Sequence, residues 1–90
     1  MEFEWDENKR RVNLAAHGID FVAAARIWEA PVIERPSPQT HHNEERFIAV
    51  GKLASRVIAV VFTWRGEKRR LISARAARRN EREDYYDAIG

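Results

Sequence analysis

One stretch of this sequence concentrates cations beside apolar residues: Lys68, Arg69, Arg70, Leu71, Ile72, Ser73, Ala74 and Arg75. A planar guanidinium can grip two phosphate oxygens at once, so arginines in such a run suit a phosphodiester. Read as a strand, the run places Arg70 on one face with Ile72 and Ala74, and Arg69 on the other with Leu71, Ser73 and Arg75. An arginine is not turned into a core without a partner, because an unpaired buried charge is costly. Arg70 and Arg75 therefore either reach solvent at the strand ends or are held by carboxylates such as Glu45 or Glu81. Phosphate clamping and structural ion pairing both remain open. Arg46 poses the same question, since it alternates with Ile48 and Val50. Its neighbour Glu45 is either a general base or a residue of the opposite face.

Lys9, Asn13 and His17 have i, i+4, i+8 spacing and form one line along a helix. A cation, an amide and an imidazole in line could approach a phosphodiester, with His17 as acid or base near neutral pH. Equally, a histidine at a helix C-terminus complements the dipole, and an asparagine on a helix flank bonds to a nearby loop. His41-His42 lies in a polar loop without the spacing of a metal site, so the loop reading is preferred. Tyr85 or Tyr86 could stack on a base or donate a proton, or one could pack on a sheet while the other is exposed. Trp64 invites the same choice between base stacking and packing.

These groups need elements to position them. Phe3 and Trp5 alternate with acids and predict a short first strand. Asp6 caps a helix whose Val12, Ala15, Ala16 and Ile19 form an apolar stripe, and His17-Gly18 ends it. Asp20 caps a second helix, with Phe21, Ala24, Ala25 and Trp28 facing the core. Pro31, Pro36 and Pro38 break regular structure, and Ser37 to Asn43 reads as a loop. Arg46–Leu53, Arg56–Trp64 and Lys68–Ala74 then predict an antiparallel meander joined by hairpin-length turns. The last helix spans Asn80–Ile89, with Asn80 and Glu83 as a capping box. The expected fold class is α+β: two N-terminal helices packed on a small antiparallel sheet, with a C-terminal helix.

Composition bounds the function classes. Ninety residues, 44% hydrophobic and 33% charged, fit one folded domain over residues 1–90. There is no cysteine, which removes disulfides and thiolate metal sites and suits a reducing cytoplasm. The acidic start is unlike a signal peptide, and no apolar run approaches a membrane span. The net charge of +2 is unevenly spread. Residues 1–45 carry five basic and nine acidic side chains, and residues 46–90 carry eleven basic and five acidic. A phosphate-rich partner would recruit such a half, although a solvated basic surface looks the same in composition.

Several of these residues together resemble the BrnT family of toxins. Phe3-Glu4-Trp5-Asp6-Glu7, Lys9, Asn13, His17-Gly18, Phe21 and Ala24-Ala25 are similar to its opening block. Glu45-Arg46 with Gly51 resembles its second block, and Arg70–Arg75 followed by Glu81-Arg82 and Tyr85 its third. The resemblance implies a RelE-like fold, RNA cleavage that arrests translation, and neutralisation by a BrnA-type antitoxin in a hetero-oligomer. It further implies autoregulation at operator DNA through the antitoxin's ribbon-helix-helix domain. Many arginines, no cysteine and no carboxylate cluster for magnesium suit a metal-independent, cofactor-free cleavage in which the ribose 2′-oxygen attacks the adjacent phosphate. In that scheme Arg70 and Arg75 stabilise the transition state, Arg46 supports them, and His17 or Lys9 moves the proton. Lys9, Arg69, Arg78 and Tyr85 would contact RNA. The chain departs from the family at Ala16, often lysine, and at Arg78, often a small hydroxyl residue. The rival reading is a non-catalytic module that binds the antitoxin or nucleic acid in autoregulation. A stand-alone RNA-binding domain is disfavoured by the missing glycine-rich and aromatic signatures.

Overall fold

The structure is a computed structural model that describes residues 1–39 and 42–90, so His41 lies outside the described residues. Among the described residues five strands and three α-helices run in the order β1 (Glu2–Trp5), α1 (Glu7–His17), α2 (Phe21–Ala24), β2 (Ile33–Pro36), β3 (Phe47–Leu53), β4 (Arg56–Arg65), β5 (Lys68–Ala76) and α3 (Arg79–Ala88). The strands form one sheet in the order β1-β5-β4-β3-β2.

The meander of β3, β4 and β5 is antiparallel, as expected, but the sheet is larger and mixed. β1 adds to β5 in parallel, and β2 adds to β3 antiparallel. The prolines concealed β2. Pro36 closes this four-residue edge strand, a position where a missing N–H is tolerated.

The N-terminus likewise holds one full helix rather than two. Asp6 caps α1 by accepting from the backbone N–H groups of Asn8 and Lys9 at 2.8 and 3.1 Å. Gly18 closes it at φ 70°, a left-handed conformation that costs glycine little. Asp20 then caps α2 through the N–H of Val22. After Ala24 the chain tightens into a 3-10 turn over Ala25–Glu29. Phe21, Ala24 and Ile27 are still buried, so packing, not helix length, holds this segment.

The predicted stripe of α1 is not what docks it. Val12 is 60% exposed, and Asn13 is the buried residue of the helix. The reason is an open sheet edge. β1 pairs with β5 only as far as Trp5 opposite Leu71, which leaves the outer backbone groups of Ala74 without a strand beside them. The Asn13 side-chain amide stands in for that strand. Its Nδ2 donates to the carbonyls of Ala74 and Ile19 at 2.9 and 3.0 Å, and its Oδ1 accepts from the Ala74 N–H at 3.0 Å. Buried backbone groups need such partners.

The sheet has two unequal faces. Phe21, Ile27, Ile58, Val60, Phe62 and Leu71 build the larger core on the side of α1 and α2. The opposite face holds a smaller cluster of Ile48, Val50, Val57, Ala59, Ala77 and Tyr85 beneath α3. Beyond that cluster the second face is open. Gly51 lets the 3-10 turn approach β3, since a Cβ there would lie 2.8 Å from Val32 and 3.0 Å from Ile27.

Candidate nucleic-acid interface

A single irregularity in β5 decides where the arginines point. Thr63 pairs with Arg70 and Phe62 with Leu71, but Val61 pairs with Ser73. Ile72 is the extra residue of a β-bulge. Such a bulge shifts the alternation by one position beyond it. Leu71 and Ala74 consequently both face the large core. Arg70, Ser73 and Arg75 instead oppose Thr63, Val61 and Ala59 on the other face. Strict alternation had placed Arg70 and Arg75 on opposite faces; the bulge brings them to the same one.

Ile72 is the centre of the open region. It lines three adjoining hollows of about 270, 280 and 310 Å³. The first includes Lys9, His42, Arg46, Arg65 and Arg70. The second includes Arg35, Arg46, Ser73, Arg75 and Arg78. The third runs to α1, with Lys9, Asn13 and His17. Each hollow alone sits near the lower bound of roughly 300 Å³ for small-molecule pockets. In a row, lined by cations, they suit an extended polyanion better than an enclosed metabolite.

The cations differ in how far they are already neutralised. Arg75 is gripped by Glu81, with Nη1–Oε1 at 2.7 Å and Nη2–Oε2 at 3.0 Å. Of the two candidate carboxylates, Glu81 is thus the one that pairs with Arg75. Arg70 instead reaches Glu4 on β1 at 2.7 Å, its neighbour in the parallel register. Glu45 is exposed, and its carbonyl accepts from the Thr63 hydroxyl at 2.7 Å. Arg46 is the least satisfied of these arginines. Its Nε lies 3.9 Å from Glu44 and, like Arg69 Nε, is a buried nitrogen without a hydrogen-bond partner among the described residues. A desolvated guanidinium donor with no acceptor favours an incoming oxyanion.

Glu81 is the pivot of the second hollow. Its side chain is fully buried and also accepts from the Arg78 N–H at 2.7 Å and from Arg35 at 3.2 Å. Burial pushes its carboxyl up, but the hydrogen bonds from Arg75 and the Arg78 backbone and the charge of Arg35 outweigh it. The group is held below its ordinary 4.5. α3 therefore starts at Arg79 with Glu81 in its first turn, not at Asn80 with Glu83. The Arg78 N–H is satisfied by the same carboxylate that fixes Arg75.

Two expected RNA contacts lie elsewhere. Arg69 faces the large core side, with its guanidinium 4.8 Å from the Trp28 ring, 5.3 Å from Phe62 and 4.5 Å from Trp64. Glu34 accepts from it at 3.0 Å and from the Trp28 indole N–H at 2.7 Å. Trp64 is therefore a packing partner of Arg69 and Phe62. Tyr85 is buried in the smaller cluster, which prevents it from stacking on a base, while Tyr86 is exposed.

Arg35 and His42 join the lining although the sequence reading did not select them for it. Arg35 hid inside a segment read as irregular. His42 sits in the turn before β3, and only the fold reveals what that turn faces. Among the described residues no three His, Cys, Asp or Glu side chains gather closely enough to hold a metal ion. No helix among them is long and apolar enough to cross a membrane.

Residues 5–81 match the family model described as "Ribonuclease toxin, BrnT, of type II toxin-antitoxin system". No curated protein matches the chain. Among solved structures it is similar to the Brucella abortus ribonuclease toxin BrnT, at 34% identity and a TM-score of 0.64, over 88% of this chain and 99% of that one.

Proposed function

The chain belongs to the BrnT family of ribonuclease toxins of type II toxin–antitoxin systems, and on that premise we propose that the groove around Ile72 cleaves RNA without a metal ion. The RNA supplies its own nucleophile. The ribose 2′-oxygen attacks the adjacent phosphorus and the bond to the 5′-oxygen breaks. The products are a 2′,3′-cyclic phosphate and a 5′-hydroxyl. The proton lost from the 2′-hydroxyl goes to a base, and the departing 5′-oxygen takes one from an acid. The protein must also stabilise extra negative charge on the phosphorane.

The observation that carries this reading is Arg46. It lies between the first two hollows, with a buried Nε that no acceptor among the described residues uses. Arg70 flanks it and Arg75 lies two β4 residues beyond Val61, so the three guanidinium groups border one groove. Lys9 and His17 line its α1 side and are the groups placed to move protons. Arg78 lines the second hollow as a further RNA contact. A BrnA-type antitoxin would cover this cationic face, with charge complementarity guiding the encounter. It would carry the toxin to operator DNA as a hetero-oligomer in the cytoplasm.

The test is cleavage of a defined RNA by the purified chain in the presence of a chelator, with the product ends identified. Cyclic-phosphate ends, and resistance of RNA carrying a 2′-deoxy group at the cut site, are expected. Cleavage that stops with the chelator would refute the metal-free mechanism. Binding without any cleavage would favour the non-catalytic module. In cells, induced expression should arrest growth, and co-expression of the cognate antitoxin should relieve it.

A further inference from the structure

The sheet register spreads the groove cations over three successive levels of one face. Arg70 lies on the Thr63 level, and Thr63 lines the first hollow together with Arg46. Arg35 and Ser73 lie on another, because Arg35 pairs with Ile48, Ile48 with Val61 and Val61 with Ser73. Thr63 and Val61 are two residues apart on β4. At a strand rise of ~3.3 Å per residue the levels are about 7 Å apart, comparable to the step between successive phosphates of an extended strand. Arg75 lies one further level on, opposite Ala59.

The cations of the first level also differ in construction from those of the two levels beyond it. Among the described residues Arg46 and Arg70 have no common carboxylate, Arg46 lying near Glu44 and Arg70 pairing with Glu4. Arg35 and Arg75 do: both donate to Glu81, Arg35 at 3.2 Å and Arg75 through two contacts. Arg35 is further drawn toward Asp84, 3.8 Å away. Its side chain nevertheless remains 42% exposed. A buried carboxylate that fixes two guanidinium groups spends part of their charge and removes much of their freedom. Such a pair is suited to orienting a phosphate that does not react, since pre-set donors lose less entropy on binding.

We propose that Arg35 and Arg75, held by Glu81, form a second phosphate subsite that receives the phosphate next to the one cleaved. This rests on the proposed ribonuclease function and adds a substrate requirement. The preferred substrate is a single strand with at least two successive phosphates, laid along β4 across the Ile72 bulge. Ser73, at the level of Arg35, supplies a hydroxyl beside this subsite. Arg35 thereby becomes a substrate-binding residue, and Glu81 a positioning residue that acts through the two arginines.

The test uses the full chain and 2′-O-methyl oligonucleotides, which bind but cannot supply the nucleophile. Affinity is measured against salt for a dinucleotide with one phosphate and for a tetranucleotide with three. Arg35→Ala should lower the salt slope on the tetranucleotide by about 0.7, one single-strand phosphate contact. It should change the dinucleotide far less. Arg35→Lys should restore the slope but not the full affinity, because it keeps the charge and loses the fork. Glu81→Gln, checked for folding, should weaken the tetranucleotide more than the dinucleotide. Equal losses on both lengths would place Arg35 at the reacting phosphate and overturn the proposal. No loss on either would overturn it too, as would a defect confined to antitoxin binding. If the unaltered chain cleaves no RNA but shows the length dependence, the ribonuclease reading fails and the second subsite stands.

Discussion

Arg69 and Arg70 are adjacent on one strand and live in opposite worlds. Arg69 is sealed among Trp28, Phe62 and Trp64 and tied to Glu34. Arg70 stands on the open face, opposite Thr63, with Glu4 as its partner. The first guanidinium is part of the packing. Its flat faces cover aromatic rings, and its charge is returned to a carboxylate. The second is part of a groove whose other cations are only partly neutralised. A count of arginines cannot distinguish them, and their alternation puts them on opposite faces without telling which face is packed. The difference comes from which face of the sheet each meets.

That contrast can be broken from the groove side first. Arg46→Ala should cost about 10² to 10³ in the RNA cleavage rate, the scale for removing one donor from a transition-state oxyanion. Its melting temperature should stay close to that of the unaltered chain, since little in the fold satisfies its Nε. A variant with normal cleavage would show that the unpaired donor does not meet the phosphate.

The next effect falls on the framework that joins the faces. Asn13→Ala leaves the Ala74 N–H and carbonyl without their partner, and should destabilise the fold by about 2 to 4 kcal/mol. Denaturant unfolding measures it. A loss under about 1 kcal/mol would mean that water replaces the amide readily. Gly51→Ala probes the core side, where the new methyl meets Val32 and Ile27. About 1 to 3 kcal/mol of destabilisation is expected, with cleavage per folded molecule retained.

The smallest effect is the acid limb of stability. The folded Glu81 carboxyl titrates below its ordinary 4.5. Its ion pairs therefore contribute fully above that value, and the contribution is lost as pH falls through the lowered folded value. Melting temperature measured from about pH 5 to 3 should fall less steeply in Glu81→Gln than in the unaltered chain. An unchanged slope would mean that the Glu81 carboxyl titrates in the fold as it does in the unfolded chain.

Much of the scaffold was legible because local chemistry and tertiary need agree. Asp6, Gly18 and Asp20 cap helices where their types suggest, and the long apolar strands pair as a meander. The failures share a cause: each depends on a distant segment. Val12, Ala15 and Ala16 make an apolar stripe, yet Asn13 docks the helix because β5 has an open edge there. β2 needs β3 beside it to be a strand at all. Arg70 and Arg75 share a face only because Ile72 is bulged, and nothing in Leu71-Ile72-Ser73 signals a bulge. The candidate site was thus half visible. Arg46, Arg70, Arg75, Arg78, Lys9 and His17 line the groove. Arg69 and Tyr85 are packed away from it, and Arg35 and His42 entered it through folding.

The most direct measurement is the RNA cleavage rate per folded molecule for Arg69→Ala and Arg70→Ala, taken with the melting temperature of each. The account predicts that Arg70→Ala loses about 10²-fold or more in rate and little in stability. It predicts that Arg69→Ala loses several degrees of melting temperature while its folded fraction cleaves normally. Equal rate losses from the two would contradict the claim that the two faces of this sheet divide packing from chemistry.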